Sequence, residues 1–113
     1  MEGKSKNVSF EEIGRLAVTF AQSGCQAGKV CKLNADGKAV PCAAGDKFCG
    51  IVEGVRSGFA AVQVEGFAEV AVSGTVNVGY VNLCADGNGC VKAGTGREYL
   101  VVSVNAGTAV IKL

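Results

Sequence analysis

The sequence contains no histidine and no tryptophan, and it has a single proline in 113 residues. Without imidazole there is no Ser-His or Cys-His nucleophile pair, no histidine general base and no histidine-ligated metal. No apolar run approaches the roughly 18 residues that a membrane helix requires. Charge is also sparse and balanced: 11 basic against 10 acidic residues, net +1. Nothing in that balance draws the chain to nucleic acid or to an anionic membrane. Lys29, Lys32 and Lys38 lie near one another, but aspartates offset them and no aromatic is interleaved. Catalytic signatures are missing as well. There is no Gly-x-Ser-x-Gly elbow, and Gly87-Asn88-Gly89 sits in a turn with no helix after it, so it is not a phosphate loop. Glu53, Glu65 and Glu69 are scattered over strand-like segments and read as solvated faces. No cofactor is expected, and the chain is not expected to be an enzyme.

What remains is glycine, β-branched residues and cysteine. Hydrophobic residues make up 49% of the chain and charged residues 19%, which excludes a disordered polymer. The length suits one domain with a thin stability margin, which an oligomer or a docked partner would relieve. Six cysteines stand at 25, 31, 42, 49, 84 and 90. The start, Met1-Glu2-Gly3-Lys4-Ser5-Lys6, is polar and no apolar stretch follows it. No secretory signal is therefore expected, and synthesis in a cytoplasm is. In that setting the thiols read as reduced, small apolar residues. Cys49, for instance, is expected to alternate with Ile51 on one strand face. One or two disulfides remain an alternative, with Cys84 and Cys90 flanking a turn. The spacings Cys25-x5-Cys31, Cys42-x6-Cys49 and Cys84-x5-Cys90 do not fit the Cys-x2–4-Cys pairs of zinc sites.

Residues 1–15 read as an N-terminal arm, with Ser9-Phe10-Glu11-Glu12 a weak capping-box match. Residues 16–113 read as one β domain. Strand-like runs begin at Leu16, Lys29, Phe48, Phe59, Phe67, Tyr80, Tyr99 and Thr108, separated by turns such as Asp36-Gly37 and Asp86-Gly87. In the fourth run Ala60, Val62 and Val64 share a face. No segment keeps a helical apolar stripe. The expected fold is therefore all-β, a small glycine-rich barrel or sandwich.

The chain also echoes itself. Val30 to Gly37 is answered by Tyr80 to Gly87, with Leu-x-Ala-Asp-Gly recurring at an offset of 50. Gly45-Asp46-Lys47-Phe48 is answered by Gly96-Arg97-Glu98-Tyr99, and Gly58 to Val64 by Gly107 to Leu113. Three blocks in one order point to two copies of one β-unit, each too small to bury both its faces.

Six stretches carry a likeness to a known family: Gly28-Lys29-Val30, Gly50-Ile51-Val52, Ala61 to Val70, Val78 to Leu83, Val101 to Val104 and Val110 to Leu113. Over residues 16–113 the chain resembles the small capsid decoration proteins of tailed bacteriophages and prophages. The resemblance implies a homotrimer seated on the outside of a phage head. Its partner would be the major capsid protein, and its place the virion surface after synthesis in the bacterial host. It also implies that the arm reaches the shell by strand addition, which places Lys6, Asn7, Val8, Ser9 and Phe10 at the capsid. Another virion component, such as a head fibre or tail part, or a small ligand-binding β-barrel are the alternatives. The six cysteines depart from what the family would suggest.

Overall fold

A computed structural model describes residues 14–113, together with the backbone of two short strands that precede them, β1 (Gly3–Ser5) and β2 (Val8–Phe10). Those two pair antiparallel with each other and belong to neither of the main sheets. From Leu16 the chain is strands and turns: β3 (Leu16–Ala21), β4 (Val30–Leu33), β5 (Ala39–Pro41), β6 (Gly50–Arg56) and β7 (Phe59–Glu65), then β8 (Phe67–Ala71), β9 (Gly79–Ala85), β10 (Val91–Ala93), β11 (Arg97–Asn105) and β12 (Thr108–Lys112). No helix occurs among the described residues.

The strands form two five-stranded antiparallel sheets packed together. Their orders are β3-β7-β6-β4-β5 and β8-β12-β11-β9-β10. These are the same order shifted by five strands, so the echo in the sequence is a duplication of topology. The finer features repeat too. The β6–β7 hairpin has a register shift between Val52 and Gly54, and β11–β12 has one between Val101 and Ser103, at the matching step. Gln22 makes a lone parallel bridge to Ala39, and Val72 makes one to Val91. The Gln22 and Val72 amides donate to the carbonyls of Gly58 and Gly107. Each sheet thus curls until its two edges touch at one bridge, without a closing ladder. The sandwich, rather than the closed barrel, is the architecture.

One element of the echo aligns differently from the letters. The Asn34 side chain accepts from the amides of Asp36 and Lys38, and the Asp86 side chain accepts from those of Asn88 and Cys90. Asp86 is thus the counterpart of Asn34, not of Asp36. The following left-handed glycines are Gly37 and Gly89. The recurring Leu-x-Ala-Asp-Gly enters the two turns two residues out of step. Two other expectations also change. The stretches after the turns hold strands, β5 and β10. Cys49 lies just before β6 and packs with Cys31, Val52 and Val62, whereas Ile51 faces the other core cluster. Of the capping-box residues, Ser9 and Phe10 belong to β2, and Glu11 and Glu12 lie outside the described residues.

The core has two parts. A small cluster of Cys31, Ala39, Val52, Ala60 and Val62 fills the first sheet. The larger cluster takes Val70, Leu83, Val91, Val101 and Ile111 from the second half, together with Val30, Phe48 and Ile51 from the first, so it binds the halves. Phe48 and Tyr99 occupy matching positions in the sequence echo. Their rings stack at 4.9 Å with 6° between planes. Phe48 lies two residues before β6 begins, whereas Tyr99 is the third residue of β11, so Tyr99 stays in its sheet while Phe48 leaves its own and crosses to it. Main-chain bonds reinforce the seam. The Gly45 amide donates to the Ala85 carbonyl at 2.8 Å, Ala85 donates to Asp46 at 2.9 Å, and Val30 donates to Gly89 at 3.1 Å.

Candidate binding surface

The alternation that fills the cores also decides what is left outside. On β7, Ala60 and Val62 point inward, so Phe59 and Ala61 fall on the outer face. The register places Ala21 and Thr19 of β3 beside them on one side, and Arg56 and Gly54 of β6 on the other. Small side chains in the middle and Phe59 at the rim leave a shallow apolar depression of about 600 Å³, lined also by Val55 and Ser57. Phe59 is 55% exposed and Leu16, at the far end of β3, 50%. The Ser57-Gly58 turn that carries Phe59 has φ of 49° and 81°, the left-handed pair of a tight hairpin. Beside the second sheet the exposed large apolar residues are Val78, just before β9, and Tyr80, near its start. Phe59 was legible as outward-facing from its phase against Ala60, Val62 and Val64.

The edges of the two sheets differ. β3 reads Leu-Ala-Val-Thr-Phe-Ala, with no charge along it, whereas β8 holds an exposed Glu69 at the position matching Thr19. A charge on an edge strand discourages further pairing, and β3 lacks that guard. Arg15, immediately before β3, is tied to Glu53 of β6 by an ion pair.

Of the expected shell-contacting residues, Val8, Ser9 and Phe10 form β2, while Lys6 and Asn7 lie outside the described residues. The structure does not bring β2 into either sheet.

A second depression, of about 210 Å³, lies where the halves meet, between Cys25, Lys29 and Cys42 on one side and Asn88 on the other. Nearby, Lys32 contacts Asp46 at 2.6 Å. The Lys32 ammonium, with the Ala43 amide, holds the Asp46 carboxyl below its usual range, and the same contact raises Lys32. Asp86 is also lowered: burial opposes its charge, but the Asn88 and Cys90 amides outweigh that.

All six cysteines are free thiols. Cys84 and Cys90 do not bridge. The other four gather in the first half, where Cys31 and Cys49 place their sulfurs 4.0 Å apart. The hydrogen bond with the Cys31 thiol holds Cys49 below the usual thiol range, while the same bond and burial push Cys31 up. Burial raises Cys25, and it raises Cys42 to about 11. Among the described residues no three Cys, Asp or Glu converge in a way that holds a metal ion.

No protein-family model matches the chain, and no curated protein sequence matches it. No helix among the described residues is long and apolar enough to cross a membrane.

Proposed function

We propose that this chain is a structural protein that binds and stabilises the outer surface of a bacteriophage capsid. The observation behind this reading is the fit between the duplicated sandwich and the stretches that resemble decoration proteins. Gly28-Lys29-Val30 leads into β4, Ala61 to Val70 runs from β7 through Gly66 into β8, and Val110 to Leu113 closes β12. The stretches of likeness thus fall on strands and on the junction of the two halves. The partner is the major capsid protein. The assembly is a homotrimer on the virion surface, made in the bacterial host. Lys6 to Phe10 supply strand pairing to the shell, and main-chain hydrogen bonds give that contact affinity without demanding a particular sequence. The action is mass action. A protein that occupies a site present only on the mature shell shifts the shell toward that state, with no chemistry required.

The test is cosedimentation with expanded, undecorated shells of the phage or prophage that encodes the chain. Saturable binding at a fixed ratio to the capsid protein is the expected result. Absence of saturation, or equal binding to unrelated shells, refutes the proposal.

A further inference from the structure

We propose that Cys31 and Cys49 are a redox-active dithiol that a low-molecular-weight disulfide converts to an intramolecular disulfide, stapling β4 to the segment that enters β6. Three features join this pair, with Cys25 also close enough to interact with Cys31. Its sulfurs are 4.0 Å apart, already in mutual contact. The Cys49 amide donates to the Cys31 carbonyl at 2.8 Å, which fixes the two main chains side by side. One sulfur is reachable and the other is not: Cys49 is half-buried, whereas Cys31 is fully buried. That asymmetry assigns the order of events. Cys49, which ionises readily beside the Cys31 thiol, is the attacking sulfur.

In the first step the Cys49 thiolate attacks one sulfur of the small disulfide. That S–S bond breaks, a mixed disulfide forms on Cys49, and one thiolate leaves and takes a proton from water. With Cys49 capped, the charge that held the proton on Cys31 is gone. Cys31 then gives its proton to water and attacks the Cys49 sulfur, expelling the second small thiolate, which takes a proton from water. Two protein thiols are oxidised to one disulfide, and one small disulfide is reduced to two thiols. Cys49 directly follows Phe48, the residue stacked on Tyr99 across the seam. Closure therefore ties the inter-sheet contact to β4 and stiffens the junction of the halves. The inference is independent of the capsid reading.

The experiment treats the folded full chain with oxidised glutathione, quenches with acid, alkylates the remaining thiols and maps the product by mass. The expected product has lost two hydrogens, carries a Cys31–Cys49 link with the other four thiols alkylated, and reverts with dithiothreitol. Its rate of formation rises with pH as Cys49 ionises, below the usual thiol range. In Cys31→Ser the glutathione adduct persists on Cys49. In Cys49→Ser the first addition slows on the order of tenfold. Cys25→Ser leaves the link intact. A link mapped to any other pair, first capture by another cysteine, or no link in the folded wild-type chain overturns the proposal. The wild-type map decides the matter even if a variant fails to fold.

Discussion

Replacing Phe48 with alanine removes the ring that crosses from one half of the molecule to the other. Phe48 is only 5% exposed and stacks on Tyr99, which is 3% exposed. Truncating a buried phenylalanine costs about 3–5 kcal/mol, combining lost transfer energy with the cavity left behind. The rigid seam bonds from Gly45 and Ala85 limit collapse into that space, so the upper part of the range applies. Neither half is large enough to persist alone. The loss therefore shows as one cooperative transition at lower denaturant, not as two. Urea unfolding followed by far-ultraviolet circular dichroism measures it. With a slope of about 1–3 kcal/mol per molar urea, the midpoint falls by about 1 M or more. Phe59→Ala is the control, because that ring is 55% exposed and its loss is worth at most about 0.5 kcal/mol. A double-mutant cycle with Tyr99→Ala isolates a coupling of about 0.5–1.5 kcal/mol for the stacked pair. If Phe48→Ala costs less than about 1 kcal/mol, or no more than Phe59→Ala, the seam is not where the halves are held together.

Further outcomes follow from other parts of the structure. Gly50→Ala would drive its methyl carbon into the Gln63 carbonyl oxygen, whereas at Gly54 nothing lies within 4 Å and φ is not left-handed. Thermal melts are expected to show a loss of about 1–3 kcal/mol for the first and near neutrality for the second. Asn34→Ala and Asp86→Ala each remove two hydrogen bonds to turn amides. If the halves are true counterparts, both lower stability in urea by similar amounts, of about 0.5–1.5 kcal/mol. Asp46 has its pKa depressed in the folded chain by Lys32 and the Ala43 amide. Its contribution is thus present above the unfolded carboxylate pKa and lost as pH falls through the lower folded value. Asp46→Asn should flatten that acid limb of the stability profile and leave neutral-pH folding intact.

The all-β class and most strands were legible because alternation and glycine turns are local signals. Ala60, Val62 and Val64 share a face in the sequence, and Ala60 and Val62 are core residues in the structure. The duplication was legible too, although its register was not. Leu-x-Ala-Asp-Gly matches by letter, but hydrogen bonding makes Asp86 the partner in kind of Asn34, since either side chain can cap the same turn. β5 and β10 were missed because each has only three residues and is defined by its neighbour, not by its own pattern. Cys49 was placed on the wrong face because strand phase was extended one residue beyond the point where the chain leaves the sheet. The outer face around Phe59 depends on which strands lie side by side, and that order, β3-β7-β6, is a long-range fact. The sulfur contact between Cys31 and Cys49 has the same origin: the residues are far apart in sequence and adjacent only after β4 pairs with β6.

The most direct measurement of the account is the thermal melting of expanded capsids with increasing amounts of the purified chain. If it works by occupying sites on the mature shell, the melting temperature climbs with protein concentration and, once the sites are filled, continues to climb only logarithmically. Shells whose melting temperature stays the same at every concentration would contradict it.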